Sequence, residues 1–401
     1  MASHLSLSET GRLPVIVLGG GITGLGVLRI IARNRIPGWL VAPPADLAFA
    51  SRHAQALPPA GAGAPAPHSD LAGFLGALSI PPSVLIPASD AWVRELARLS
   101  PTIRTRFPTA VSTPEVLEQA IDKARFASLL ASLAIPHPRS WPLDSAGDLA
   151  LVPDDGFVRS FLKPRDSQAF FARYGVKGIW VESRDDAARR LEELQAAGLA
   201  VQLQEYVPGP PSAHVFVDGY AAAGGAVRGV LVRRRLRMYP PDFGNSTLMV
   251  TIRPEEATEA VRSVQRLVES LAFRGVFSVE LKQSERDGRY YALEMNARPW
   301  WYVDFAAQSG VDVIRMSWLD AQGLPVPEVR EYRIGRRCIY PYYDWFAVAE
   351  LRRKGKATRL TWLRAIPGAE QPVFRFSDPG PAIRSVRAWL RSRRTARKAA
   401  Q

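Results

Sequence analysis

Two short stretches decide the fold of this chain, VFSVELK at residues 276–282 and YYALEMNAR at residues 290–298. In both, apolar and polar side chains alternate, which predicts two neighbouring strands of a hairpin. Glu280 lies on the polar face of the first strand, and Glu294 and Asn296 lie on the polar face of the second. The pattern therefore predicts two carboxylates and an amide side by side on paired strands.

Carboxylates on paired strands repel each other unless a positive charge lies between them. Oxygen ligands with no His or Cys nearby suit a hard cation such as Mg²⁺, which usually takes further ligands from substrate phosphates. The hairpin thus favours a site for Mg²⁺ and a nucleotide. The alternative is that Glu280 and Glu294 are solvated residues on the outer face of an amphipathic hairpin.

The composition narrows the class of protein. The chain has 401 residues, of which 47% are hydrophobic, and this leaves room for two or three domains. It shows no apolar run of membrane-spanning length and no signal-peptide pattern, so we expect a cytoplasmic protein. The single cysteine, Cys338, excludes an internal disulfide framework, and the five histidines have no zinc-binding spacing.

The net charge of +14 is concentrated in two places, RRRLR at residues 233–237 and the tail from Arg384 to Lys398. Apolar residues alternate with the cations of the tail, so one interpretation is a basic amphipathic helix that contacts an acidic membrane surface. The other interpretation is a solvated, fraying chain end. No nucleic-acid partner is expected.

The N-terminal region has the pattern of a Rossmann-like domain. A buried strand at residues 13–18 runs into GGGITGLG at residues 19–26, which matches the GxGxxG fingerprint of dinucleotide-binding domains. An FAD- or NAD-dependent oxidoreductase is therefore an alternative function. Against it, the second strand at residues 38–42 is followed by PPA instead of a ribose-binding acid, and Asp46 comes late.

Further patterns divide the rest of the chain. Residues 58–67 are rich in Pro, Ala and Gly and predict a surface loop. Thr113, followed by Pro114, predicts a domain boundary and the start of a helix that continues through Asp122 and Lys123 to Leu133. Beyond it, a strand at residues 157–164 places Arg159 and Lys163 on one face. A helix, a second strand that ends in a Pro-Gly turn, and the carboxylate hairpin follow, which is the order of an α+β domain.

Together these segments resemble the ATP-grasp superfamily, in its carboxylate–amine ligase-like branch, over residues 113–320. The resemblance is carried by five segments: Asp122-Lys123, FLKP at 161–164, QEYVPG at 204–209, Glu280, and EMNARP at 294–299. It implies a Rossmann-like α/β domain over residues 1–112, then an ATP-grasp domain over 113–325 with two α+β subdomains, about 113–207 and 208–325. Residues 326–401 would form a C-terminal extension with a basic tail.

The resemblance also implies roles for individual residues in binding ATP and Mg²⁺. Cationic side chains would bind the nucleotide phosphates, one segment would line the adenine, and the hairpin would hold the metal. These residues are, in that order, Lys123, Lys163 and Lys177; Gln204, Glu205, Tyr206 and Val207; and Glu280, Glu294 and Asn296. Superfamily members often carry a glycine-rich lid after the Lys163 strand. The corresponding segment here, residues 165–178, has only two glycines, so we expect a lid that clamps phosphate through the side chain of Arg173 or Lys177.

The implied reaction has two steps. A substrate carboxylate attacks the γ-phosphate of ATP, which gives an acyl phosphate and ADP, and an amine then displaces phosphate to form an amide. Arg298 and Lys163 would stabilise the developing charge. The small-molecule substrates would contact Arg235, Arg237, Arg298 and Trp301, although Arg233, Arg235 and Arg237 also fit a solvated basic edge strand. A non-catalytic nucleotide-binding regulatory protein remains a further alternative.

Overall fold

The computed structural model describes most of the chain, namely residues 12–58, 66–67, 70–164, 170, 173–241 and 243–399, with side chains up to residue 391. Most of the predicted surface loop at residues 58–67 and the first part of the predicted lid, residues 165–169 and 171–172, lie outside the described residues.

The N-terminal part contains a three-stranded parallel sheet in the order β2-β1-β3. Its strands are β1 (Val15–Leu18), β2 (Gly38–Val41) and β3 (Val84–Pro87). All residues of β1 and β3 are buried, as expected for parallel strands covered on both faces. The accompanying helices are α1 (Gly21–Arg33), α2 (Leu71–Gly76), α3 (Asp90–Ala97) and α4 (Pro101–Arg106).

The second sheet has four antiparallel strands in the order β4-β7-β5-β6. They are β4 (Ser140–Leu143), β5 (Ser160–Pro164), β6 (Ile179–Val181) and β7 (Val201–Glu205). The helices of this region are α5 (Pro114–Ile121), α6 (Lys123–Ser132) and α7 (Arg184–Ala196).

Two local predictions in this region are wrong. The continuous helix expected after Thr113 is interrupted at Asp122, whose carboxylate accepts the backbone N–H groups of Ala124 and Arg125 and so caps α6. The strand expected from residue 157 begins at Ser160, because Arg159 has a φ of 54° and cannot continue a strand. Arg159 therefore does not share a strand face with Lys163.

The largest sheet has six strands in the order β12-β11-β8-β9-β10-β13. The strands are β8 (His214–Ala222), β9 (Ala226–Tyr239), β10 (Asn245–Thr251), β11 (Gly275–Gln283), β12 (Tyr290–Asn296) and β13 (Arg337–Ile339). The helices that follow or cover it are α8 (Thr258–Ser270), α9 (Val303–Ser309), α10 (Val313–Ala321), α11 (Pro341–Arg353), α12 (Arg359–Leu363) and α13 (Gly380–Ala399).

The predicted hairpin is confirmed as β11 and β12, which are antiparallel neighbours. Glu280 lies directly opposite Glu294, and Ser278 lies opposite Asn296. The strand β12 is the edge of the sheet, and Glu294 on its polar face is exposed. The expected basic edge strand at residues 233–237 is not at an edge, because β9 lies between β8 and β10.

The parallel sheet and the largest sheet share one hydrophobic core. Ile16 and Leu18 of β1 belong to the same buried cluster as Val217 of β8 and Phe277 of β11. Burial of this shared apolar surface fixes the N-terminal part against the hairpin region. Within the described part of the chain, no helix combines the length and apolar character needed to span a bilayer.

A buried polar clamp joins the C-terminal segment to the N-terminal part. The guanidinium of Arg29 donates to the carboxylate of Asp378 at 3.0 Å, and both side chains are almost fully buried. The same carboxylate accepts the Ser51 hydroxyl at 2.8 Å and the Arg52 backbone N–H at 2.9 Å. These donors replace the water that Asp378 loses on burial, so the clamp holds the ionised carboxylate.

The clamp predicts an acid-sensitive contribution to stability. Burial alone would raise the pKa of Asp378, but the hydrogen bonds from Arg52, Ser51 and Arg29 outweigh burial and hold that pKa below its usual value. A carboxyl with a depressed folded-state pKa stabilises the protein above its unfolded pKa of about 3.9 and loses that effect as the pH falls further. We expect Asp378→Asn to lower the free energy of unfolding at pH 7 by about 1–3 kcal/mol.

Asp378→Asn should also weaken the loss of stability below about pH 4. Urea unfolding from acidic to neutral pH measures both effects. Asp154→Asn is the matched control, since its side chain is 98% exposed and should change neither value measurably. If the free energy of unfolding fell as steeply with decreasing pH in Asp378→Asn as in the wild type, the proposed role of the clamp would be contradicted.

Candidate functional site

The site is built on the polar face of the β11–β12 hairpin. Glu294 is exposed on the edge strand, and the Asn296 side-chain amide lies 3.4 Å from its Oε1. Glu280 faces Glu294 across the strand pair. The structure thus brings together the three residues predicted to hold Mg²⁺.

Glu280 is held in place by two neighbours that sequence reasoning did not connect with it. Arg235 Nη2 lies 2.9 Å from Glu280 Oε1, and His214 Nδ1 lies 2.7 Å from the same oxygen. Burial would raise the pKa of Glu280, but the charge of Arg235 and the hydrogen bond of His214 hold it well below its usual value. Burial and the charge of Arg235 lower the pKa of His214 to about 4. At neutral pH Glu280 is therefore ionised beside a neutral imidazole.

The donor set fits a cation that takes some of its ligands from phosphate. Glu280 and Glu294 supply two carboxylates, and Asn296 supplies one amide. The described residues contain no cluster of three or more His, Cys, Asp or Glu side chains suited to a metal. None of the hydrogen bonds of the described residues uses Glu280 Oε2, which is left to accept a cation. Such a partial shell of oxygens is typical of Mg²⁺ bound together with a nucleotide.

Lys177, which precedes β6 of the four-stranded sheet, lies near the carboxylates of Glu280 and Glu294. Lys177 Nζ donates to Asn245 Oδ1 at 2.5 Å, at the start of β10. Burial lowers the pKa of Lys177; the nearby charges of Glu294 and Glu280 oppose that shift, and those of Arg235 and Lys163 add to it. Lys177 therefore lies within electrostatic reach of both hairpin carboxylates and of two other cations.

The other two predicted phosphate ligands lie at the end of β5. Lys163 belongs to this strand and is half-buried. Lys123, at the first turn of α6, donates to the backbone carbonyl of Pro164, the last residue of the same strand. Both lysines are thus held close to one strand end. Arg173, the other expected lid cation, is exposed and lies over the ring of Tyr174.

The predicted adenine segment lies at the end of β7. Two of its side chains have partners within the protein: Gln204 Nε2 donates to Ser140 Oγ at 3.1 Å, and Glu205 forms an ion pair with Arg286 at 2.5 Å. Val207 is buried, and no hydrogen bond among the described residues uses its backbone N–H. The backbone N–H of Val207 is therefore available to a ligand, whereas the side chains of Gln204 and Glu205 are engaged within the protein.

An aromatic cluster that sequence reasoning missed lies against this segment. The ring centroids of Trp180 and Tyr206 are 4.9 Å apart, and those of Phe161 and Phe243 are 4.5 Å apart. Trp180 also lies 5.1 Å from Phe243, which joins the two pairs. Phe161 and Trp180 are partners across β5 and β6, so only knowledge of the strand pairing could have revealed the cluster.

Arg298 pairs with Asp90 and not with Glu294, the acidic residue nearest to it in the sequence. Its Nε and Nη2 donate to the two carboxylate oxygens of Asp90, each at 3.0 Å. Asp90 is the first residue of α3, next to the parallel sheet, so this bidentate pair ties the end of the hairpin to the N-terminal part. Glu294 is therefore not the ion-pair partner of Arg298.

Two of the remaining predicted substrate residues are occupied by contacts within the protein. The guanidinium of Arg237 donates to both oxygens of the buried Asp344, at 2.9 and 2.6 Å, so its charge is already neutralised. Arg235 is buried against Glu280, as described above. Neither arginine presents a free charge to an anionic substrate. Trp301 is half-buried and packs edge-on against Tyr340 at 6.3 Å.

The glycine-rich turn after β1 argues against a dinucleotide site. The backbone N–H of Gly21, the first residue of α1, donates to both carboxylate oxygens of Asp46 at 2.9 Å. In a dinucleotide-binding domain the helix N-terminus receives a pyrophosphate at this position. Here the carboxylate of the protein itself satisfies the helix N-terminus.

The sequence matches no family model, and no curated protein is detectably similar to it. Solved structures, however, share its architecture. Carboxyaminoimidazole ribonucleotide synthase from Aspergillus clavatus, complexed with ATP, aligns with a TM-score of 0.61 and 15% identity over 82% of each chain. L-amino acid ligase from Bacillus licheniformis aligns with a TM-score of 0.58 and 14% identity over 81% of this chain and 79% of that one. Biotin carboxylase from Campylobacter jejuni aligns with a TM-score of 0.59 and 15% identity over 81% of this chain and 74% of that one.

Proposed function

Because the chain has the ATP-grasp fold, as the sequence resemblance predicted, we propose that it is an ATP-dependent ligase that joins a carboxylate to an amine. One observation carries the proposal: Glu280 and Glu294 are opposite each other on β11 and β12, and both carboxylates, together with Lys163, lie close enough to Lys177 to act on its pKa. Opposed carboxylates and cations are what binding of a metal-bound triphosphate requires.

The proposal divides the chain into parts. Residues 1–112, with the parallel sheet, form the Rossmann-like domain, and residues 113–325 form the ATP-grasp domain with subdomains 113–207 and 208–325. Residues 326–401 are the extension, although β13 within it pairs with β10 of the largest sheet. The nucleotide would lie between the four-stranded and six-stranded sheets, with the backbone near Val207 at the adenine edge and the aromatic cluster beside it.

The residues of the site have separable tasks in the proposed reaction. Glu280, Glu294 and Asn296 would hold Mg²⁺, which neutralises charge on the phosphates when bound. Lys123, Lys163 and Lys177 would orient the triphosphate so that a substrate carboxylate attacks the γ-phosphate in line, releasing ADP and leaving an acyl phosphate. An amine then attacks the acyl carbon and phosphate leaves. Arg298, held by Asp90, would stabilise negative charge beside the acyl group.

The test is release of ADP and phosphate from Mg-ATP with pooled amino acids and small carboxylates. Substrate-stimulated release of ADP supports the ligase and allows the pool to be subdivided. Release of AMP would overturn the acyl-phosphate mechanism.

One observation favours a second candidate, a nucleotide-binding protein without turnover. Arg298 is already engaged by Asp90 through two hydrogen bonds, which leaves it less available to a substrate. Tight binding of ATP together with no turnover in any pool would support this candidate over the ligase.

Lys163→Met provides a prediction about the nucleotide itself. Removing a cation that contacts phosphate costs about 1.5–3 kcal/mol, so the Kd for Mg-ATP should rise about tenfold or more. Calorimetric titration with Mg-ATP measures it. The control is Lys354→Met, which removes the same charge from the exposed C-terminal end of α11 and should leave the Kd unchanged. Equal affinities of the two variants would remove Lys163 from the phosphate site.

A further inference from the structure

The helix α13 leaves an apolar stripe in solvent. Ile383, Val386 and Leu390 recur at spacings of three and four residues, so they lie on one face of the helix. They are 49%, 55% and 46% exposed, and Phe376, just before the helix, is 93% exposed. Isolated apolar residues on a surface need no explanation, but a contiguous stripe of this kind marks an interaction surface.

The stripe is flanked by cations. A groove between α13 and Ala50 is lined by Ile383 and Leu390 together with Arg384, Arg387 and Arg391. From residue 384 to residue 398 the sequence has seven basic residues and no acidic one: Arg384, Arg387, Arg391, Arg393, Arg394, Arg397 and Lys398. The partner that complements this surface is therefore both anionic and apolar.

The start of the helix is fixed to the rest of the protein. Asp378, two residues before α13, is held by the clamp of Arg29, Ser51 and Arg52. In the second turn of the helix, Arg384 donates to the backbone carbonyl of Asp46 at 2.6 Å. The apolar stripe is therefore held in a defined orientation before any partner binds, which reduces the conformational entropy lost on docking.

We infer that α13 is a docking surface for an acidic lipid bilayer, along which it lies with its apolar stripe inserted between headgroups. An amphipathic helix with arginines beside Trp, Leu, Val and Ile has the composition of interfacial membrane helices. A nucleic acid would match the charge but would leave the apolar stripe in water. This inference uses no residue of the proposed ATP site, so it stands or falls independently of the ligase.

The test is co-sedimentation of the full chain with vesicles. Binding is expected with vesicles that contain phosphatidylglycerol, little with pure phosphatidylcholine, and less at high salt because the electrostatic part is screened. The decisive comparison is Val386→Glu against Ala388→Glu. Both add one negative charge at an exposed position of the same helix, but only Val386 belongs to the stripe.

Val386→Glu should weaken partitioning about tenfold or more, whereas Ala388→Glu should lose only the part due to charge. Equal losses in the two variants would reduce the effect to charge alone and overturn the inference. Absence of sedimentation with phosphatidylglycerol vesicles, or equal binding to neutral vesicles, would overturn it as well. Unchanged thermal unfolding of both variants establishes that folding is not the cause.

Discussion

Glu294→Gln should reduce substrate-stimulated release of ADP by on the order of 100-fold or more, because it replaces a charged metal ligand by a neutral one of equal size. Glu294 is exposed on the edge strand, and the weak 3.4 Å contact with Asn296 is its only side-chain hydrogen bond among the described residues, so the variant should fold normally. The measurement is the rate of ADP release from Mg-ATP in whichever pool stimulates the wild type.

The matched control for this variant is Glu285→Gln. Glu285 is exposed in the turn that joins β11 and β12. Its substitution by Gln therefore removes the same charge from the same hairpin and leaves the polar face unchanged. Its rate should equal that of the wild type. If Glu294→Gln were as active as Glu285→Gln, Glu294 would not hold the metal and would be a solvated residue on the outer face of the hairpin.

Asp218→Ala should lower the free energy of unfolding by about 3–5 kcal/mol, which is the largest loss of stability predicted for a single substitution. Asp218 is fully buried, and Arg233 donates to its two oxygens at 2.6 and 3.3 Å. Ser278 donates to the same carboxylate at 2.6 Å, and the Arg233 guanidinium lies 3.8 Å from the Phe216 ring centroid. Loss of the carboxylate leaves the Arg233 charge buried without a counterion.

Urea unfolding measures this effect, and a double variant separates its causes. Asp218→Leu combined with Arg233→Met removes both charges and should recover much of the stability, since an apolar pair of similar volume carries no desolvation penalty. Glu328→Ala breaks the exposed Arg330 pair and should leave stability unchanged. A double variant no more stable than Asp218→Ala would show that packing, not the unpaired charge, limits stability.

The predictions that held rest on periodic patterns. The alternation in residues 276–282 and 290–298 was enough to place Glu280 opposite Glu294, because strand faces repeat every second residue. The buried run at residues 13–18 likewise became a strand of a parallel sheet. The resemblance to the ATP-grasp superfamily is confirmed at the level of the fold.

The contacts that could not be predicted join residues distant in the sequence. The charges of Arg233, Arg235 and Arg237 suggest a surface, but each meets a carboxylate that the chain supplies elsewhere, respectively Asp218, Glu280 and Asp344. The sequence gives no sign of these pairs, because strand order and long-range packing determine them. The same holds for Arg298 and Asp90, which are 208 residues apart.

The segment after residue 325 is part of the same folded structure as the residues before it. Its strand β13 covers the edge of β10, its Asp344 is the counterion of Arg237, and its Asp378 is the counterion of Arg29. A chain shortened at residue 325 would have a bare sheet edge, a ready template for self-association, and two arginines in the interior without partners. The part of the chain before residue 326 is therefore not a separable module, and any engineered fusion or shortened version must keep the C-terminal segment.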